Sequence, residues 1–262
     1  MMRAIRITAG SVLSRSLLGF LVFCLLLGLA SAGVVWYMGP ALAGIVVDKD
    51  RRESPYYLLQ LLPGATASAG SPAPSYRSRF VTLAAADDAD LIWQGGAVEV
   101  AEGSVLLDVT GVQLMQFSTG ADVVQVLTSS AYRALEADFP DVAVRHLGTS
   151  LPPEPLAADA ATVVVLYRAD ADDSTAPLGE PGDRGWLALL PRFRGLVLWD
   201  TPVATVRGSG DWNRVLLIQF ADIATAEAWL NDPNTATERA IARKQVDEMV
   251  VLVVQPSVFA LR

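Results

Sequence analysis

The chain has 262 residues, of which 52% are hydrophobic, 20 are Lys or Arg and 28 are Asp or Glu, so its formal net charge is -8 at pH 7. This hydrophobic content is sufficient for one large or two small packed domains and excludes a disordered chain. The negative charge excludes binding of nucleic acid through bulk electrostatics, and the single cysteine excludes an intrachain disulfide or a cysteine-based metal site.

The N-terminal segment predicts a membrane anchor. No charged residue occurs from Leu17 to Val47, and about 20 apolar helical residues are enough to cross a bilayer. We place the span at residues 17–38, with residues 1–16 in the cytoplasm and residues 39–54 as a juxtamembrane linker. A cleaved signal peptide is the alternative, because Ala30-Ser31-Ala32 resembles a small-residue cleavage site.

The distribution of basic residues predicts the orientation of this anchor. Arg3, Arg6 and Arg15 precede the span without any acidic residue, whereas the segment that follows it mixes basic and acidic side chains. Cytoplasmic segments carry the excess of Lys and Arg. We therefore expect a single-pass protein of the bacterial inner membrane with its C-terminal domain in the periplasm, and the cytoplasmic placement of that domain remains the alternative.

Two stretches of the remaining chain echo each other. VLLIQF, which begins at Val215, matches VQLMQF, which begins at Val112, and the offset of 215 − 112 = 103 also pairs Phe220 with Phe117. An internal repeat at this distance indicates two similar structural units. The chain therefore divides into a first repeat and a second repeat of about equal length.

Each repeat predicts the same order of elements. In the first, periodicity and composition predict in turn a strand in YYLLQLL, a helix at Tyr76, Phe80 and Leu83, a hairpin of AVEVAEG and VQLMQFS, a helix in ADVVQVLTSSAYRALEADF and a strand in VAVRHLG. In the second, they predict a strand in TVVVLYRA, a helical stripe at Trp186, Leu190 and Phe193, a hairpin of PVATVRG and RVLLIQF, helices in TAEAWLNDPNTATERAIARKQV and a strand in EMVVLVVQ.

Each half is thus a β-α-β-β-α-β unit, with the first at residues 55–149, a Pro-rich linker at 150–160 and the second at 161–262. Such a unit forms a four-stranded antiparallel sheet with helices on one face, so the other face must be covered. We expect an α+β fold in which two ferredoxin-like repeats pack sheet to sheet as an internal pseudo-dimer. Homodimerisation is then not needed.

Particular motifs carry a resemblance to a known family. The segment TPVATVRGSGDWNRVLLIQFADIATAEAWLNDP contains Gly210-Asp211-Trp212 and Arg214, and the first half contributes Gly95 to Val100 and Ser129 to Tyr132. Together they resemble a small-domain, uncharacterised family within the dimeric α+β barrel superfamily, over roughly Tyr56 to Gln255. The resemblance implies a tandem fusion of two units that single-domain members bring together as separate chains.

The resemblance also implies where a site would lie. The superfamily includes cofactor-free monooxygenases, lactone isomerases and haem-handling enzymes, which place their sites in a cleft between sheet and helices. The candidate cleft-lining residues are His146, Tyr167, Trp186 and Arg192. Haem ligation would need His146, the only histidine, but a lone histidine on a strand face is more typical of a core position. We expect no cofactor and no metal.

The sequence leaves two functions open. It contains no Gly-x-Ser-x-Gly elbow and no convergent catalytic set. It therefore favours a non-catalytic, membrane-anchored periplasmic interaction module, an accessory subunit that docks on another membrane or periplasmic protein. The alternative is a cofactor-free small-molecule enzyme of the isomerase or monooxygenase type, or a ligand-binding protein, of the dimeric α+β barrel class.

Overall fold

The computed structural model describes residues 54–63, 72–102, 109–140, 142–169, 185–208 and 212–256. In chain order the elements are β1 (Tyr56–Pro63), α1 (Pro72–Ala85), β2 (Asp90–Glu102), β3 (Val109–Phe117), α2 (Gly120–Thr128), α3 (Ser130–Asp138), β4 (Arg145–Thr149), β5 (Ala161–Arg168), a 3-10 helix (Trp186–Phe193), β6 (Leu196–Pro202), β7 (Ala204–Arg207), β8 (Arg214–Phe220), α4 (Ile223–Asn231), α5 (Pro233–Arg243) and β9 (Glu248–Pro256). The predicted α+β class is confirmed.

The predicted membrane span at residues 17–38 lies outside the described residues. Within the part of the chain that the structure describes, no helix combines the length and the apolar character needed to cross a bilayer. The anchor and the periplasmic location therefore stay predictions.

All nine strands belong to one antiparallel sheet, in the order β6-β8-β5-β9-β2-β3-β1-β4-β7. The two ends of this sheet are adjacent in the chain, because β6 ends at Pro202 and β7 begins at Ala204. Only Val203 separates them. The sheet therefore closes on itself as a barrel, an arrangement that leaves few free strand edges.

The strand partners differ from the two predicted hairpins. Asp90 to Gly96 of β2 pair with β3, but β2 continues to Glu102 and there pairs with β9. In the second half, β6 pairs with β8, whereas β7 pairs with β4 of the first half. The segments predicted as local hairpins thus join the two halves, because apolar alternation marks a strand without identifying its neighbour.

The barrel separates three hydrophobic cores. Alternate residues of β1 illustrate the division, since Leu59 and Leu61 pack inside the barrel with residues of both halves. Leu58 and Leu62 instead face the helices of the first half. The equivalent face of the second half packs against the 3-10 helix, α4 and α5. Strands buried on both faces explain the continuous apolar runs in the sequence.

Side-chain caps end and restart the helices. The single helix predicted from Ala121 to Phe139 is divided at Ser129, whose hydroxyl accepts a hydrogen bond from the Tyr132 backbone at 3.0 Å and begins α3. Asp232 accepts bonds from two backbone N–H groups at the start of α5, and Pro233 is the first residue of that helix. The stripe that begins at Trp186 forms a 3-10 helix that contains Pro191, which has no N–H to donate.

Candidate functional site

A row of polar side chains crosses three neighbouring strands of the first half. Gln60 of β1 is in register with Gln113 of β3 on one side and with His146 of β4 on the other. All three residues are fully buried. Gln60 lies between Leu58 and Leu62 in the alternation of β1, so this polar row lies on the face of the sheet that the helices cover.

Hydrogen bonds connect the polar row from end to end. Gln113 Nε2 donates to Gln60 Oε1 at 2.5 Å, and Gln60 Nε2 lies 3.0 Å from His146 Nδ1. Because Gln60 uses its amide nitrogen toward the imidazole, Nδ1 accepts and the ring proton resides on Nε2. That nitrogen lies 3.0 Å from the hydroxyl of Tyr132, which also accepts from the Tyr76 hydroxyl at 3.4 Å.

Aromatic rings and a charged side chain cover His146. The ring of Phe80 lies 5.7 Å from the imidazole, and Arg207 of β7 lies 5.1 Å above the ring of Tyr132. Arg207 also makes two hydrogen bonds to Glu136, of 2.9 and 2.5 Å. A strand of the second half therefore helps to exclude water from the polar row of the first.

This environment keeps the row uncharged. Burial, together with the positive charge of Arg207, lowers the pKa of His146 to about 3. Burial also raises the pKa of Tyr132, and it raises the pKa of Tyr76 to about 12. Near neutral pH the imidazole and both phenols are neutral, so the row presents fixed dipoles in a medium of low dielectric constant.

An arginine lies near one end of the polar row. Gly96 and Gly111 are a register pair of β2 and β3, and Arg77 of α1 lies over them. A Cβ atom added to Gly111 would lie 3.0 Å from Cζ of Arg77. Burial lowers the pKa of Arg77. Gly111 and Gln113 lie two residues apart on one strand face, a separation of about 7 Å.

Two polar atoms at this end have no hydrogen-bond partner within the described residues. They are Nε of Arg77 and Oε1 of Gln113, both buried. Buried polar groups are nearly always paired, so an unpaired donor over Gly111 and an unpaired acceptor on Gln113, two residues farther along β3, indicate a place where a ligand binds. We call Arg77, Gly111 and Gln113 the arginine slot.

The matching face of the second half is apolar. Val165 of β5 is in register with Leu216 of β8 and Val251 of β9, and all three belong to its sheet–helix core. Beside them Trp186 stacks on Trp229 with ring centroids 4.9 Å apart. The second half thus has close apolar packing where the first has the polar row.

The structure distributes the four predicted cleft residues over both halves. His146 belongs to the polar row, whereas Tyr167 and Trp186 are fully buried in the core of the second half. The side chain of Arg192 is 65% exposed and pairs with Asp232 at 3.6 Å. The four residues therefore do not meet in one cleft, and His146 alone lies near the arginine slot.

Tyr167 has a structural set of partners. Its hydroxyl donates to Asp200 at 3.5 Å, and Arg214 donates to the same carboxylate at 2.8 Å. The pKa of Tyr167 is raised by burial and by the nearby charge of Asp200. These contacts stabilise the junction of β5, β6 and β8.

The residues around His146 do not fit a haem or a metal ion. Both imidazole nitrogens have hydrogen-bond partners and the ring is fully buried, so neither nitrogen is free as an axial ligand. Among the described residues no group of three or more His, Cys, Asp or Glu side chains is placed to bind a metal.

Comparisons with known proteins identify the architecture. No family model matches the sequence, and no curated protein has significant sequence similarity to it. The solved structure of an anthrone oxidase-like protein is similar, with a TM-score of 0.50 at 13% identity over 78% of this chain and 92% of that chain. The chain has the dimeric α+β barrel fold.

Two other solved structures are more distant. A mutant chlorite dismutase from Candidatus Nitrospira defluvii gives a TM-score of 0.42 at 8% identity, over 80% of this chain and 96% of that chain. A protein assigned as a monooxygenase from Lactobacillus acidophilus NCFM gives 0.40 at 11% identity, over 77% of this chain and 93% of that chain.

The comparisons correct the function that the sequence favoured. The predicted non-catalytic interaction module is contradicted by the comparisons, because a solved structure with this barrel fold is an oxidase-like protein. The alternative, a dimeric α+β barrel of the enzyme class, agrees better with this finding. The prediction took the lack of a known catalytic motif as evidence against catalysis, and that absence does not support the conclusion.

Proposed function

We propose that the chain is a cofactor-free small-molecule enzyme of the oxidase or monooxygenase type, with its site between the sheet and helices of the first half. One observation carries the proposal. The first half places Gln60, Gln113 and His146 in a buried row, and the unpaired Oε1 of Gln113 lies at its end. Core positions normally favour apolar residues, so an extended polar row with an unpaired atom indicates a functional demand.

The row would act by positioning Gln113. The amide nitrogen of Gln113 is held by Gln60, which in turn is held by His146. The free oxygen is then oriented to accept a hydrogen bond from the hydroxyl of a phenolic or enolic substrate. His146 is a positioning residue in this scheme. Since Gln113 is fully buried, a substrate reaches it only when the side chains that cover the polar row move aside.

The oxidase-like neighbour suggests a reaction to test first. Oxidation of anthrone by O2 converts its methylene carbon to a carbonyl, and the two hydrogens leave with the second oxygen atom as water. The reaction balances without an added cofactor. The enol form of anthrone carries a hydroxyl group, and Gln113 Oε1 would accept a hydrogen bond from it. This choice of substrate rests on a neighbour at 13% identity and is therefore part of the proposal.

The decisive variant replaces the polar row of the first half with the residue types found at the matching positions of the second half, Val165, Leu216 and Val251. Full-length Gln60→Val/Gln113→Leu/His146→Val should fold, because the three polar side chains on the strands are replaced together by apolar groups and Tyr132 keeps its hydrogen bond with Tyr76. We expect its anthrone-dependent oxygen consumption to fall about 100-fold or more, the effect of losing an oriented hydrogen-bonding group. Circular dichroism and thermal melting check that the fold is retained.

The control for this experiment is Leu196→Ala in the second half, where the side chain is 64% exposed. It should oxidise anthrone at the wild-type rate. A triple variant that is folded and as active as wild type would rule out the polar row as the site. If the wild-type protein consumes no oxygen with anthrone, the oxidase assignment fails.

We also propose that the two halves arose by tandem duplication and form a pseudo-dimer. The sequence offset of 215 − 112 = 103 and the strand orders β2-β3-β1-β4 and β6-β8-β5-β9 support this proposal. If residues 55–149 and 161–262 are produced as separate chains in one cell, we expect them to copurify in equal amounts, because they share the barrel core. Purification of either chain without the other would contradict the pseudo-dimer.

A further inference from the structure

Arg77 has no ionic partner among the described residues, although its Nε atom is buried. The nearby Arg79 of α1 is different, because it pairs with Asp138 at 2.7 Å. A guanidinium that is partly removed from water without gaining an anion is electrostatically unfavourable. Arg77 is partly buried, and its unpaired Nε–H is a donor available to an anion that binds there.

The sheet beneath Arg77 accommodates its guanidinium closely. Gly111 has no side chain, and a Cβ atom at this position would lie 3.0 Å from Cζ of Arg77. A Cβ atom on its register partner Gly96 would lie 3.9 Å from Nη1 of Arg77. The missing Cβ atoms allow the planar group to lie against the strands. A guanidinium fixed in one plane is suited to two parallel hydrogen bonds with a carboxylate.

We infer that the arginine slot binds a small aromatic carboxylate, with Arg77 pairing with its carboxylate and Gln113 Oε1 accepting a hydrogen bond from a donor farther along the ligand. This inference rests on the proposed function in one respect only, namely that the bound aromatic carboxylate is a substrate of the enzyme. The charge of one arginine matches one carboxylate. The backbone positions of Gly111, beneath Arg77, and of Gln113 are about 7 Å apart along β3, a spacing similar to that between groups at opposite ends of one aromatic ring.

A monoanion is preferred to a phosphate for two reasons. A single guanidinium neutralises one negative charge, and the chain as a whole has a net charge of -8, which disfavours highly charged anions. Phosphate sites also commonly use the N–H groups of a helix N-terminus. Arg77 is instead the sixth residue of α1, which begins at Pro72.

Titration calorimetry of the full-length protein in mild detergent tests this inference. The probes are 4-hydroxybenzoate and its uncharged analogue 4-hydroxybenzamide. We expect Arg77→Met to weaken 4-hydroxybenzoate binding about tenfold or more and to leave the weaker binding of the amide unchanged. Arg79→Met on the same helix is the matched control and should bind both probes as wild type does.

Gly111→Ala provides a second test that keeps the arginine. The added methyl group would contact the end of the flexible Arg77 side chain, so the guanidinium must move while the fold is retained. We expect the same selective loss of 4-hydroxybenzoate. Equal binding of the acid and the amide by wild type, or unchanged binding by both variants, would overturn the inference. Tighter binding of inorganic phosphate through Arg77 would overturn the choice of a carboxylate.

The outcome is independent of the anthrone experiment. If anthrone is not oxidised but 4-hydroxybenzoate binds through Arg77, the proposed enzyme function fails and the binding site stands. If anthrone is oxidised but 4-hydroxybenzoate binding does not depend on Arg77, the enzyme function stands and the arginine slot fails as a binding site.

Discussion

Acidification from pH 6.5 toward pH 3 should destabilise the wild-type protein more steeply than a His146→Leu variant, by about 1.4 kcal/mol per pH unit. The buried imidazole has its pKa lowered to about 3, whereas an unfolded histidine keeps a pKa near its ordinary value of 6.5. Between these two values the unfolded state binds a proton that the folded state does not. Stability is therefore lost as the pH falls through this window, to a total of about 5 kcal/mol.

Urea unfolding at pH 7, 6, 5 and 4 measures this difference. His146→Leu removes one hydrogen bond from Gln60 and one from Tyr132, so the variant should be less stable at neutral pH by about 2 to 4 kcal/mol. The free energy of unfolding of the variant should nevertheless fall less steeply on acidification than that of wild type, because the variant lacks the imidazole. The carboxylates contribute equally to both proteins. Gln60→Leu is the matched control, since it breaks the same row but keeps the imidazole and the steep slope.

Parallel stability curves for wild type and His146→Leu would show that the imidazole gains a proton without unfolding the chain. The polar row would then be accessible to protons from solvent. That result would contradict the neutral, enclosed histidine on which the positioning role of the row depends.

Most strands were predictable from the sequence, but β6 at Leu196–Pro202 was not predicted, and neither were the strand partners. YYLLQLL marks β1 because its residues are buried on both faces, and the structure places that strand at Tyr56–Pro63. The exchange of β2 and β7 between the halves depends on closure of the barrel, a property of all nine strands together. Local periodicity does not contain this information.

The site was harder to predict for a related reason. Gln60 and Gln113 are each visible as a single polar residue within an apolar strand. Only the register of β1 with β3 and β4 places them beside His146. Arg77 has no local signal at all, because its importance depends on Gly111, which lies far along the chain and contacts it only after folding.

The second half offered stronger sequence signals for packing than for binding. Its aromatic residues and its exposed Arg192 suggested a cleft, and the structure instead places Trp186 in a stack with Trp229. Large aromatic side chains contribute much of the packing energy of hydrophobic cores, so their presence in a sequence is explained by a core as well as by a cleft. Composition alone does not distinguish a ring that lines a cleft from one that fills a core.

Replacing Trp229 with alanine should lower the free energy of unfolding by about 3 to 5 kcal/mol. Trp229 is fully buried, with its ring centroid 4.9 Å from that of Trp186 and 5.3 Å from that of Phe220. Its indole N–H has no partner within the described residues. The contribution of Trp229 is therefore packing of the ring, and Trp229→Phe should lose only about 1 kcal/mol because it keeps an aromatic ring and removes an unpaired donor.

The conservative variant also tests which half contains the site. Trp229→Phe should bind 4-hydroxybenzoate and oxidise anthrone as wild type does, because the second-half face of Val165, Leu216 and Val251 offers no polar group to a ligand. Chemical denaturation gives its stability, and calorimetry gives its binding in the same preparation. If Trp229→Phe is stable but has lost binding, the ligand lies against the Trp186 stack. The cleft predicted around Trp186 and Tyr167 would then replace the arginine slot as the site.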